Sequence, residues 1–116
     1  MTIEEIFNKL ASHMVEGVMY HDDFAKAFDF LGLRGYAMCQ NYHYMEESNN
    51  YRYLNHFYAK HYYKLIVLEK LDKPKIIPDT WAKYTTKAVD TNTKRNAIKD
   101  LFTKWIDWEQ STKKLY

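Results

Sequence analysis

Residues 33–71 read LRGYAMCQNYHYMEESNNYRYLNHFYAKHYYKLIVLEKL. Within this stretch Tyr36, Gln40, His43, Glu47, Tyr51, Leu54, Tyr58, His61, Leu65 and Leu68 recur at alternating steps of three and four. That spacing puts them on one face of a single helix, so a long helix is predicted over 35–71. The stripe is polar in its middle, where Gln40, His43 and Glu47 stand in positions that leucine usually fills. Ser48, Asn49 and Asn50 are poor helix formers, yet Glu47, Tyr51 and Leu54 keep phase across them, which favours a continuous or gently kinked helix over a break. A second stripe follows the same steps more than a third of a turn away: Met38, Tyr42, Met45, Asn49, Tyr53, His56, Tyr63, Val67 and Leu71. Apolar character on two sides predicts a helix covered twice, by C-terminal helices or by another copy of the chain.

Upstream, Thr2 and Glu5 have the spacing of a capping box, in which the threonine hydroxyl satisfies an orphan amide and the glutamate reaches back. Ile3, Ile6, Phe7, Leu10, Met14, Gly17, His21, Phe24, Phe28 and Leu31 then hold one face, so a first helix is expected over 3–31, stopped by Gly32. Gly17 sits in mid-stripe, where glycine costs about 1 kcal/mol of helix propensity. A bulky neighbour in close approach, such as a tyrosine, would offset that. The turn Gly32-Leu33-Arg34-Gly35 is short, so the two helices should lie antiparallel.

Downstream, Leu71–Asp79 is the only stretch marked by prolines, and Pro78 before Asp79 and Thr80 reads as a helix start. Trp81, Tyr84, Thr85 and Ala88 share a face of a short helix expected over 79–90. A last helix is expected over 93–113, burying Ala97, Ile98, Leu101, Trp105, Trp108 and Thr112. The fold class is therefore all-α, a four-helix bundle-like single domain over 1–116 with two long antiparallel helices and two shorter ones.

Composition agrees. Three glycines and two prolines are too few for a turn-rich β protein, and aromatic residues make up 17%, led by eleven tyrosines. Tyrosine suits damp cores and interfaces, having an apolar ring and a hydroxyl that needs a partner. The lone Cys39 excludes an intrachain disulfide and reads as a small buried residue. The N-terminal stretch is acidic and no apolar run approaches the length of a membrane span, so a cytoplasmic protein without membrane partners is expected. Net charge is +2, but residues 1–50 carry three basic and eight acidic side chains, while 51–116 carry fourteen basic and seven acidic ones. The imbalance fits two mutually attracting halves, or a basic half that binds nucleic acid.

Folding the first two helices about residue 33 sets residues whose numbers total about 66 at one height, since both rise equally per residue. His21 then faces the level between His43 and Glu47. Two imidazoles and a carboxylate could hold zinc or iron, with His21, His43 and Glu47 as ligands. The favoured reading is that they satisfy one another, together with Gln40 and Tyr51, as a buried polar cluster without cofactor, with the metal site as the alternative.

Glu16-Gly17-Val18-Met19-Tyr20-His21, the Gly32–Tyr36 turn, Met45-Glu46-Glu47 and the Leu71-Asp72-Lys73-Pro74 exit together resemble the first helix pair of ferritin-like proteins, over about residues 8–75. The resemblance implies a metal-binding helical bundle in which Glu16 and Glu47 match the first two glutamates of that family. The Glu-x-x-His positions fall at Asn50 and Tyr53, neither of which carries the matching ligand, and the C-terminal half has no such motif.

No Ser/His/Asp order, phosphate loop or Cys/His box is present. Lys83, Lys87, Lys94, Arg95, Lys99 and Lys104, near Trp81, Tyr84 and Trp105, form a basic and aromatic run that could grip nucleic acid. Asp90, Asp100 and Asp107 interrupt it, as on a solvated helix face. Met38, Tyr42, Met45, Tyr53, His56 and Tyr63 combine methionine and tyrosine, the chemistry of a protein interface or homodimer contact. The leading expectation is a non-enzymatic helical interaction protein, of the kind found among phage and mobile-element accessory proteins such as inhibitors of host defence. A ferritin-like metal protein and a nucleic-acid-binding module are the alternatives.

Overall fold

The structure is a computed structural model that describes residues 1–71, 76 and 91–115. Within these residues it is all-helical and holds three helices: α1 (Ile3–Phe30), α2 (Arg34–Tyr62) and α3 (Thr91–Leu115). The short helix expected over 79–90 lies outside the described residues.

Helix α1 begins and ends as its sequence dictates. The Thr2 hydroxyl accepts the Glu5 amide at 3.1 Å. At the other end Gly32 takes a positive φ of 77°. The Gly32 amide donates to the Asp29 carbonyl and the Leu33 amide to the Phe28 carbonyl, at 3.0 and 2.8 Å. This is a Schellman closure, which satisfies the last carbonyls and turns the chain at once. Helix α2 therefore returns beside α1, and the ring pairs Phe28–Tyr36, His21–His43 and Phe7–Phe57 lie one above another. The residue numbers of each pair total 64, close to the expected hairpin register.

Helix α2 runs unbroken through Ser48–Asn50 but does not reach residue 71. It stops at Tyr62, and Tyr63 caps it in the left-handed conformation (φ 55°, ψ 36°). The predicted 35–71 helix is thus too long, and the hairpin register gives the reason. Residue 62 lies level with the first turn of α1, so a further turn would have no partner to cover its apolar side. The chain instead doubles back along α1. The Val67 amide donates to Asn8 Oδ1 at 3.0 Å and the Glu69 amide to Ser12 Oγ at 2.8 Å. Ser12 in turn donates to the Asn8 carbonyl at 2.7 Å. Leu65 and Leu68, assigned to the inner stripe, are consequently exposed.

Helix α3 runs antiparallel to α1, with Phe102 on Phe28, Trp108 against Gly17 and Thr112 against His13. The described part of the molecule is stacked in tiers. Nearest the turn, Phe24, Ala27, Phe28, Leu31, Ala37, Ala97 and Leu101 form the apolar core with Ile76. Burying each of the larger side chains contributes about 1.5–3 kcal/mol. At the open end Phe7 stacks on Tyr58 and Phe57, with ring centroids 4.5 and 6.1 Å apart. The polar residues of the inner stripe lie between these tiers. Among the described residues no helix is long and apolar enough to cross a membrane.

Candidate functional site

The middle tier brings His21, Gln40, His43 and Glu47 together and adds Glu109 and Trp108 from α3. His21 is 2% exposed and Gln40 fully buried. Their side chains meet at 2.7 Å, His21 Nδ1 to Gln40 Oε1. An amide oxygen only accepts, so Nδ1 carries the proton and Nε2 presents its lone pair. Nε2 faces Glu109 Oε1 at 3.8 Å, beyond hydrogen-bonding distance, and that carboxylate accepts from Trp105 Nε1 at 3.2 Å. The His43 ring stacks on His21 at 5.1 Å. Gln40 Nε2 has no partner.

Gly17 makes room for this tier. A Cβ there would lie 3.3 Å from Trp108 Cζ2 and 3.6 Å from Cγ and Cδ of Glu47. The bulky neighbour expected beside Gly17 is thus a tryptophan rather than a tyrosine. Trp108 is itself clamped between Tyr20 (4.2 Å) and His13 (4.5 Å), and His13 Nε2 lies 2.8 Å from Thr112 Oγ1.

Charge is disfavoured on His21 and His13. Burial lowers the pKa of His21, and His43 adds to this, while the Gln40 hydrogen bond and the carboxylates of Glu109 and Glu46 oppose it. Burial lowers that of His13 too, against Glu109. Glu47 is pushed above the usual carboxylate value by burial, then by Glu109 and Glu46, with His43 pulling back. All are consequences of removing ionisable groups from water and setting like charges together. Among the described residues no three His, Cys, Asp or Glu side chains are grouped so as to hold a metal ion. Of His21, His43 and Glu47, the two imidazoles stack on each other, and His21 hydrogen-bonds Gln40.

The outer stripe of α2 is placed differently from what its pattern implied. The buried residues of this helix are Ala37, Gln40 and Tyr58, which face α1. Met38, Tyr42, Met45 and Tyr53 lie on the opposite side and are 72%, 67%, 62% and 72% exposed. Asn49 and His56 are exposed with them, and Tyr63, beyond the helix, is exposed too. Within the chain α3 does not cover this side, because it packs on α1 and meets α2 along one flank, through Tyr36–Phe102 and His43–Trp105. Cys39, expected to be buried, lies exposed.

Beside that flank Phe102, Trp105, Ile106, Glu109, Gln110 and Lys113 line an open concavity of about 400 Å³. Trp105, on the buried face predicted for the last helix, packs against the core through Phe28 and also lines this concavity, while Glu109 has no signal in the periodicity of α3. Of the basic run, Lys83 and Lys87 lie outside the described residues, and Lys104 is tied to Asp100 at 3.0 Å.

Comparison of the chain with protein-family models, with curated proteins and with solved structures gives no match.

Proposed function

We propose that this chain is a non-enzymatic interaction module that binds a protein through the outer face of α2. One observation carries the reading: an unbroken helix presents Met38, Tyr42, Met45 and Tyr53 to solvent, each more than three-fifths exposed, on the side away from α1. Leaving methionine and tyrosine in water sacrifices the burial that would stabilise an isolated fold. Both residue types are enriched where proteins meet, methionine because it repacks and tyrosine because its rigid ring brings a hydroxyl. An accessory protein from a phage or mobile element, such as an inhibitor that occludes a host protein, would use such a face, and self-association would use it too.

A Tyr42→Glu/Met45→Glu double variant tests the proposal. Both side chains are exposed, so the fold should persist with unchanged helical circular dichroism. Wild-type protein bearing a photo-crosslinker at Tyr53 is expected to capture a specific protein, itself included, and the double variant to lose it. Equal capture by both forms, or none by either, would sink the reading.

A further inference from the structure

The outer stripe of α2 has the same spacing in both directions. From Asn49 the exposed residues toward the N-terminus are Met45, Tyr42 and Met38, at steps of four, three and four. Toward the C-terminus they are Tyr53, His56 and Lys60, at the same steps and again exposed. Such steps keep them all on one side of the helix. A stripe symmetric about its own middle matches, height for height, a second copy turned end for end, because the rise per residue is equal in both.

The charges beside the stripe choose that orientation. Glu46 lies three residues before Asn49 and Arg52 three residues after it, and both are exposed. Among the described residues neither is in an ion pair. Two copies laid parallel would bring Glu46 level with Glu46 and Arg52 level with Arg52. Laid antiparallel, each Glu46 stands level with an Arg52 and the helix dipoles oppose one another. The like charges left at one height are Arg34 and Lys64, at the rim, where Glu4 lies 3.5 Å from Lys64. The area is also adequate. Met38, Tyr42, Met45 and Tyr53 offer roughly 150 Å² each, or about 600 Å² per copy. The His56 ring and the Lys60 stem bring this toward the roughly 800 Å² that a stable interface buries on each partner.

We infer that the protein partner of this face is a second copy of the chain, in an antiparallel two-fold dimer with Asn49 on the axis. The inference rests on the outer face of α2 being the interaction surface, and it names the occupant. In the dimer Met45 packs on Tyr53 of the second copy and Tyr42 on His56, with the Lys60 stem laid along Met38. Sulfur against an aromatic ring and a lysine stem over apolar surface are both favourable contacts. Two asparagine amides on the axis can each donate and accept, so they satisfy one another. Helix α1 packs on the other side of α2 and leaves this face clear. One patch meeting itself closes the assembly at two.

Sedimentation of the intact protein over a concentration series is expected to show monomer and dimer and nothing larger, with Tyr42→Glu/Met45→Glu monomeric. Glu46→Arg or Arg52→Glu alone should weaken the dimer about fivefold, since each reverses two symmetric approaches of exposed charges. The double exchange Glu46→Arg/Arg52→Glu should restore it. Orientation is read by disulfide trapping in a Cys39→Ser background, because Cys39 is exposed. Met45→Cys mixed with Tyr53→Cys should give a linked pair under mild oxidation, whereas Met45→Cys alone should stay unlinked. A monomer at every concentration, a dimer indifferent to these substitutions, or self-linked Met45→Cys would each overturn the inference. If the chain stays monomeric while the crosslinker at Tyr53 captures a different protein, the dimer fails and the interaction face stands.

Discussion

The His21–Gln40 contact offers a sharp test of how the middle tier is held. Both side chains are buried and share one 2.7 Å hydrogen bond. Gln40 Nε2 is already without a partner. Replacing His21 by leucine strands the Gln40 oxygen as well, in a place closed to water, and should cost about 2–3 kcal/mol. Replacing Gln40 by leucine strands only His21 Nδ1, removes the unpaired Nε2 and adds apolar volume, so its net cost should be under about 1 kcal/mol. Replacing both leaves no stranded group, and the double variant should lie within about 1 kcal/mol of wild type. The coupling between the two positions is then about 2 kcal/mol, far above the few tenths expected of independent sites. Urea unfolding at neutral pH, followed by circular dichroism and tryptophan emission together to check for two-state behaviour, measures all four corners. Additive single costs, with a coupling under about 0.5 kcal/mol, would show that the tier is not held by this hydrogen bond.

Two further expectations concern the same tier. Gly17→Leu should destabilise the protein by about 1–3 kcal/mol through overpacking, despite a helix-propensity gain near 1 kcal/mol. The reason is that Trp108, only 3.3 Å from the new Cβ, is held between two rings and cannot slide aside; thermal unfolding at or above the wild-type midpoint would contradict it. The pH profile should carry two opposed slopes. His21 and His13 bind protons more weakly folded than unfolded, so stability drops as pH falls from 6.5 through their lowered folded values. Glu47 binds its proton more tightly when folded, so it costs stability as pH rises from 4.5 through its raised value. Glu47→Gln should abolish this second slope and raise the urea midpoint near neutral pH; a lower midpoint there would mean that its attraction to His43 dominates.

Much of the fold was legible in the chain. Thr2 and Gly32 set the limits of α1, because a capping hydroxyl and a left-handed glycine act within a few residues of themselves. The unbroken phase of Glu47, Tyr51 and Leu54 carried α2 across its weak centre. Equal rise per residue brought His21 to the height of His43 and Glu47, and the two imidazoles do stack. The end of α2 was legible only indirectly, since no glycine or proline marks Tyr63. What ends the helix is the exhaustion of α1 as a partner, together with the Asn8 and Ser12 side chains that take up the returning backbone.

By itself, the sequence determined the helices' local limits, the hairpin, and which residues share a face, because capping, turn length and periodicity are properties of neighbours along the chain. Only the tertiary structure decided which apolar stripe is core. Gln40 and Tyr58 of the inner stripe are buried because α1 lies on them, and the outer stripe is exposed because α3 packs on α1. Hydrophobicity is the same on both sides of such a helix, so burial depends on where a distant segment docks. The same docking delivers Trp108 into the space left by Gly17 and sets Glu109 opposite Glu47. A nonlocal register of that kind has no periodic signature in either helix alone.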